Sequence, residues 1–454
     1  LLAFFGFGAK AGMLPLHVWL PEAHPAAPSP VSALMSGVML KTAIYGMVRV
    51  IYDLIGGIRW EWGLTVLLFG AATSLFGVLF ALMQHDLKRL LAYHSVENIG
   101  IILIGIGLAM VFIGSGHPVA GALALIAGLY HTLNHAVFKG LLFLGAGAIL
   151  KSTGLRNLNE MGGLIRYMPH TALYFLIGAL AISALPPLNG FVSEWLTFQA
   201  SLQAPQLASS VVRSLVPIVA AVLALSGALT GMCFVKVYGI AFLGQHRHEM
   251  AVKPREASGW ERAGMLWLAI ACFALGLLPV FMIGEINKVS LVLIGTGLSD
   301  EAMNSGWLWL APTSGAQASY SPVVFLLAIA AVFGLTFLLV RHFYHGRLRR
   351  ADPWDCGFPA QTSRMQDSAD AFGQPIRRIF APVYLIQREI PRADDLQPVF
   401  RQSVEDRHWY SMYLPIARFN EFLSGHVGKL QQGRISVYLL YSFVTLIALL
   451  VFAQ

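Results

Sequence analysis

The 454-residue chain is 56% hydrophobic and only 12% charged, about half the charged share of a soluble globular protein. That composition excludes a water-soluble enzyme and implies an all-α polytopic membrane protein. The net charge of +8 then belongs to cytoplasmic loops and not to nucleic-acid binding.

The sequence opens at Leu1 inside an apolar segment with no charged n-region and no small-residue cleavage site, so it does not begin with a signal peptide. It reads as a chain whose N-terminal part is missing. Ten membrane-depth elements follow. The first, about 1–20, contains Lys10 and is broken at Pro15. The prolines of LPLHVWLPEAHPAAPSP forbid a continuous helix there. Further spans are predicted at about 29–51, 63–84, 96–113, 120–150, 170–200, 213–243, 263–283, 321–342 and 435–453.

Basic residues collect in alternate loops. One set holds Lys88 and Arg89; Lys151, Arg156 and Arg166; Arg247, Lys253, Arg255 and Arg262; and Arg341, Arg347, Arg349 and Arg350. This asymmetry puts the 85–95, 151–168, 244–262 and 343–434 loops in the cytoplasm. The 343–434 segment is polar and basic. Its first half is rich in turn formers. Its second half, from about Leu396 to Gln432, mixes charges with Val399, Phe400, Trp409, Tyr410, Phe419 and Phe422, a pattern that suits an amphipathic surface helix.

The three cysteines, Cys233, Cys272 and Cys356, form no CxxC pair and are too scattered to suggest an iron–sulfur or zinc site. No redox centre, cofactor or metal is expected in this chain. The ionisable residues read as lying within spans are Lys10, Lys41, His131, His135, Lys139, Glu194 and Lys236. Such groups are costly at bilayer depth and normally mark an ion or proton path. His131, His135 and Lys139 follow each other at i, i+4 and i+8, along one helical face. Lys41 and Lys139 lie too deep for their ammonium groups to reach the interface, whereas Lys236 can snorkel. Glu194 follows Pro186, Pro187 and Gly190, which interrupt a helix at membrane depth, and a broken helix there lines a polar cavity. The layout around Lys10 is comparable, as in repeated transporter halves.

Four ordered stretches carry a family likeness: GAKAGMLPLHVWLPEAHPAAPSPVSALMSGVMLKTAIYG, DLKRLLAYHSVENIG, LYHTLNHAVFKGLLFLGAG and LPPLNGFVSEW. Over about residues 1–285 the chain resembles the proton-conducting antiporter-like subunits of complex I, of Mrp-type sodium/proton antiporters and of group 4 nickel–iron hydrogenases. AYHSVENIG, WDCGF and GQPIRRIF resemble the hydrogenase-4 component B and formate hydrogenlyase subunit 3 group.

The resemblance implies an inverted-repeat fold in a bacterial or archaeal plasma membrane. Residues 1–51 would end a first repeat and 52–245 form a second. Residues 246–342 would add further spans, 343–434 a loop and lateral helix, and 435–454 a final anchor. It also implies a mid-membrane proton row. Lys10 would stand on the broken seventh helix, Lys41 on the eighth, His131, His135 and Lys139 on the eleventh, and Glu194 on the broken twelfth. Ser36 stands where some complex I members have histidine, and the fifth-helix glutamate that pairs with the Lys10 position would precede Leu1. Function then lies in moving protons for redox chemistry in partner subunits. The alternatives are a complex I membrane subunit and an Mrp-type sodium/proton antiporter subunit, the latter disfavoured because only Glu194 offers a deep carboxylate.

Overall fold

The computed structural model describes residues 2–247, 253–298, 306, 308–312, 319–344, 356–358, 362–363, 365–392, 394–396, 401–407, 409–429 and 433–452. Arg347, Arg349, Arg350, the first two residues of WDCGF, Val399 and Phe400 lie outside them. The chain forms two units, Leu1–Gln374 and Pro375–Gln454.

The first unit is helical. Helices α1 (Leu2–Ala11) and α2 (Trp19–Ala26) form one broken element. They are followed by α3 (Ser29–Ile55), α4 (Trp60–Met83), α5 (Leu87–Gly114) and α6 (Pro118–Thr153). A second broken element comprises α7 (Pro169–Ile182) and α8 (Asn189–Ser201). Then come α9 (Ser210–Phe242), α10 (Gly259–Leu277), α11 (Pro279–Ile294) and α12 (Pro322–Phe343). Helix α13 (Ala369–Ile379) carries the chain from the first unit into the second. Eight described helices are long and apolar enough to cross a membrane. The two broken elements sit where the prolines predict them.

Helix ends follow local chemistry. Asp86 caps α5 by accepting from the Lys88 and Arg89 N–H groups at 2.9 and 3.0 Å. Ser258 and Glu261 form a capping box on α10. Gly154, at φ +72°, ends α6. Two boundaries differ from expectation. The span predicted at 263–283 ends at Leu277, and Pro279 opens the separate helix α11, since proline fits the first helical turn but cannot continue a helix. The span predicted at 96–113 begins at Leu87, because Lys88 and Arg89 mask a stretch that is helical and, Arg89 apart, buried.

Helix α5 is the core of the unit and is buried almost throughout. It packs antiparallel on α4 through two facing glycine rows at seven-residue spacing: Gly63, Gly70 and Gly77 on α4, and Gly100, Gly107 and Gly114 on α5. A Cβ on Gly100 would stand 2.3 Å from the Ser74 nitrogen, and one on Gly77 would stand 2.6 Å from the Glu97 nitrogen. Only glycine lets these backbones approach so closely.

The basic loops meet at one end. Leu87 N–H donates to Arg156 O at 2.9 Å, Gly163 N–H to Leu243 O at 2.8 Å, and His170 N–H to Glu256 at 2.8 Å. Asp370 reaches the same end through His85, at 3.1 Å, and Asn159, at 2.9 Å.

The second unit contains a two-stranded antiparallel sheet. Strand β1 (Tyr384–Glu389) pairs with β2 (Arg401–Asp406), in register from Tyr384↔Asp406 to Glu389↔Arg401. Helices α14 (Leu414–Gly428) and α15 (Ile435–Phe452) follow. The amphipathic helix is therefore shorter than the 396–432 stretch expected, since part of that stretch is β2. On α14, Ile416, Phe419, Leu423 and Val427 form an exposed apolar stripe.

Candidate functional site

The polar interior starts on α3. This helix widens to a π-turn over Met35–Met39, a feature that recurs at functional sites. The Lys41 ammonium donates to the Ser36 carbonyl and, at 2.7 Å, to His135 Nδ1 on α6. His135 Nδ1 therefore accepts, and its proton sits on Nε2. One turn earlier, the His131 ring lies 6.5 Å from that of His135 and is nearly parallel to it, at 7°. Both rings are fully buried.

His131 is held by hydrogen bonds on both sides. Asn98 Nδ2 donates to the His94 carbonyl at 2.8 Å, which turns Asn98 Oδ1 toward His131 Nε2 at 3.1 Å. Nε2 must then carry a hydrogen. His131 Nδ1 is 3.0 Å from Ser193 Oγ, and Asn134 Nδ2 donates to the same oxygen at 3.1 Å. Ser193 also has the Gly190 carbonyl within reach at 3.1 Å. Its hydroxyl can donate to a neutral Nδ1, or it can turn to Gly190 and accept from a protonated Nδ1. Ser193 sits on α8 just past the break. Asn134 fixes that break to α6 by donating to Asn189 O at 2.9 Å, and Gly190 is required there because a Cβ would meet Ala181 O at 1.9 Å.

Lys139, the third group on the α6 face, is fully buried. Its ammonium donates to Leu91 O at 2.5 Å and lies 5.7 Å from the Phe143 ring centroid, where the ring face attracts a cation. The His24 ring stacks on the same phenylalanine at 4.7 Å. Ser36 and Ser95 bond each other at 2.7 Å, and Ser95 donates to Leu91 O at 3.2 Å. A serine pair thus joins the carbonyl that holds Lys41 to the one that holds Lys139.

Three predicted residues stand differently. Glu194 is buried on α8 with its carboxylate toward α9, since a Cβ on Gly227 would lie 3.6 Å from Oε2. Lys10 lies in the last turn of α1 and is exposed, so within this chain it is not one of the buried groups. Lys236 does not snorkel. It is buried and donates to Leu82 O at 2.6 Å and Gln84 O at 3.2 Å, the carbonyl end of α4, where a cation complements the helix dipole.

Several buried titratable residues are absent from the sequence-based set, among them His17, His24, Lys88, His94 and Glu97. His94 and Glu97 lie about one turn apart in the N-terminal half of α5, and His94 Nδ1 is 2.5 Å from Glu97 Oε2. The Thr230 hydroxyl of α9 donates to Glu97 Oε1. The signal was present in YHSVENIG, but the neighbouring Lys88 and Arg89 moved the predicted span start past His94. Glu97 also supplies the second deep carboxylate that the sequence reading lacked. No group of three or more His, Cys, Asp or Glu residues placed to hold a metal is found among the described residues.

Residues 1–219 match the family model described as NADH:quinone oxidoreductase/Mrp antiporter, TM. Hydrogenase-4 component B of Escherichia coli (strain K12) is 40% identical over 99% of this chain and 68% of its own length. The chain belongs to the NADH:quinone oxidoreductase/Mrp antiporter membrane family. Formate hydrogenlyase subunit 3 of the same organism is 36% identical over 86% of this chain and 61% of its own. Among solved structures, the membrane-bound sulfane sulfur reductase, an archaeal respiratory membrane complex, aligns with TM-score 0.73 and 26% identity over 99% of this chain and 68% of the matched one. Within the antiporter family, then, this chain is a multi-pass membrane protein, with its buried amines, imidazoles and carboxylates gathered around α5 and α6.

Proposed function

We propose that the chain is the proton-translocating membrane subunit of a group 4 nickel–iron hydrogenase or formate hydrogenlyase type of complex. The observation that carries this reading is the buried contact of Lys41 Nζ with His135 Nδ1 at 2.7 Å, followed by His131 on the same helix face. Buried titratable groups at bilayer depth are retained where they work. The relatives named hydrogenase-4 component B and formate hydrogenlyase subunit 3 support the choice of complex.

In this reading Lys41 gives one proton to His135 Nδ1, becoming a neutral amine as His135 becomes an imidazolium. His135 passes that proton to His131 through water, and Ser193 turns its hydroxyl as His131 Nδ1 is protonated. Lys139 supplies the driving repulsion. Two unit charges 4 Å apart repel by about 4 kcal/mol at an effective dielectric of about 20, so a charge arriving near Lys139 favours proton release from its neighbours. Glu194 is the exit group, and Lys10 belongs to the preceding repeat. Residues 1–51 and 52–245 belong to successive repeats. Electrons stay in the peripheral partner subunits.

Sodium/proton exchange is the second reading. Glu97 and Glu194 are two deep carboxylates within electrostatic range of each other, and sodium requires oxygen ligands. Both Glu97 oxygens are already engaged, by His94 and Thr230, which favours the proton. Affinity purification through the tagged chain, with its partners identified and a pH dye enclosed in proteoliposomes, decides between them. Hydrogenase large and small subunits with sodium-independent acidification are expected. Mrp-type partners with sodium-dependent pH change overturn the proposal.

A further inference from the structure

The Glu97–His94 pair is the strongest feature outside the row just described. Both side chains are buried, at 1% and 0% exposure, and their polar atoms meet at 2.5 Å. Charged and titratable groups face the pair from several elements. Lys139 of α6 and Glu194 of α8 lie within electrostatic range of Glu97. From α9, Thr230 donates to Glu97, while the Cys233 thiol and the Lys236 ammonium are electrostatic neighbours of His94. On α4, the absence of a side chain at Gly77 lets the Glu97 backbone come close. Phe234 covers the His94 ring at 4.8 Å.

A buried histidine and carboxylate in direct contact hold one proton between them in the neutral pair, whichever atom carries it. The pair can also lose that proton or take a second. A group of each sign lies within electrostatic range of Glu97, the ammonium of Lys139 and the carboxylate of Glu194, and Glu194 meets α9 at Gly227, about one turn before the Thr230 that holds Glu97. The Thr230 hydroxyl bonds Oε1 alone and leaves Oε2 to the histidine. A groove between α3, α6 and α10, rimmed by Lys151, Trp260 and Glu261, carries less, because its one ion pair is internal and nothing on it points to an occupant.

We propose that Glu97 and His94 form a proton-holding station on α5 that links Lys139 to Glu194. The inference rests on the proton-translocating reading and extends it. In the first step the Lys139 ammonium loses one proton and becomes an amine, and the Glu97 carboxylate gains that proton through water. In the second step protonated Glu97 passes it to the Glu194 carboxylate and returns to the anion. No charge is created in either step. His94 is a positioning residue that holds Oε2 and balances the charge of Glu97 while Glu194 is filled. The His131 step and this station are both required for a proton to reach Glu194.

The test uses the assembled complex in proteoliposomes, with proton uptake per redox turnover and infrared difference spectra between acid and alkaline buffer. Glu97→Gln is expected to cut proton uptake per turnover at least tenfold, to keep redox activity, and to remove one titrating carboxyl C=O band. Glu97→Asp is expected to restore part of both signals. Wild-type uptake per turnover from Glu97→Gln, or a difference spectrum with no band that depends on Glu97, overturns the station. If wild-type complex moves no protons, the parent reading fails; if wild type moves them and Glu97→Gln does so equally, only the station fails. Should Glu97→Gln not assemble, Thr230→Val decides, since it removes the Oε1 bond and leaves Oε2 on His94; the hydroxyl's other contact, with Ser226 O at 2.8 Å, lies within its own helix. A shifted Glu97 band with slowed uptake supports the station, and an unmoved band overturns it.

Discussion

Replacing Ser193 with alanine removes a hydroxyl that touches both His131 Nδ1, at 3.0 Å, and Asn134 Nδ2, at 3.1 Å. Asn134 keeps a second acceptor in Asn189 O at 2.9 Å, so the loss falls on His131. Neutral His131 loses a neutral hydrogen bond, worth about 0.5–1.5 kcal/mol, whereas protonated His131 loses a charge-assisted one, worth about 1.5–3 kcal/mol. The protonated state is thus disfavoured by about 1–1.5 kcal/mol relative to the neutral one, or about tenfold in any step that passes through it. Ser193→Ala is therefore expected to slow redox-driven proton uptake in proteoliposomes about tenfold. Unfolding stability should fall by about 1–3 kcal/mol, the cost of a buried group left unsatisfied. Ser193→Thr keeps the hydroxyl and is expected to restore uptake. Full uptake in Ser193→Ala, or equal loss in Ser193→Thr, refutes the hydroxyl's role in following the proton.

Three other predictions follow from the packing. Lys236→Met leaves the Leu82 and Gln84 carbonyls without their buried donor, at about 1–3 kcal/mol each. It is expected to lower the melting temperature in detergent while proton uptake per turnover is unchanged; lost uptake at unchanged stability would place Lys236 in the proton path. Gly100→Ala sets a Cβ 2.3 Å from the Ser74 nitrogen and is expected to cost about 1–3 kcal/mol through overpacking. Gly231→Ala, with nothing within 4 Å of the new methyl group, is the neutral control in the same melt. Glu256 lies in a basic loop. Partial burial raises its carboxyl, but bonds from the Thr171 hydroxyl and the Ala257 and His170 N–H groups outweigh that and hold it below the usual carboxylate value. Its stabilising share is therefore complete above the ordinary carboxylate range and is lost as pH falls through the depressed folded value. Hydrogen exchange at the start of α7 should rise on acidification in wild type, and in Glu256→Gln it should be raised already at neutral pH.

The sequence made some of this arrangement readable because helical spacing alone brings groups together. His131, His135 and Lys139 share a face by their i, i+4, i+8 positions. The two broken elements are visible in Pro15 and in Pro186–Pro187. Contacts between elements carry no such periodic mark. Nothing local to Lys41 pairs it with His135, which is 94 residues away, and nothing local to Ser36 pairs it with Ser95. His94 is hidden for a different reason: its helix starts among Lys88 and Arg89, and the buried Lys88 ammonium reaches the Ala27 carbonyl, beyond the end of α2. Glu97 lies inside the predicted 96–113 span, beside its first residue, and belongs with the ionisable residues of that span. The glycines of α4 and α5 were spaced at seven residues in plain sight, but that spacing gains meaning only when the two helices are laid together. The strands at 384–389 and 401–406 were missed because neither shows strong alternation, and pairing across a loop supplies what each lacks alone.

The central claim is that protons move along the buried groups of α5 and α6. Lys139→Ala tests it most directly, in the assembled complex, with redox turnover and proton uptake measured on the same proteoliposomes. The predicted result is a complex that assembles and turns over but takes up no protons. Unimpaired uptake per turnover in that variant contradicts the account.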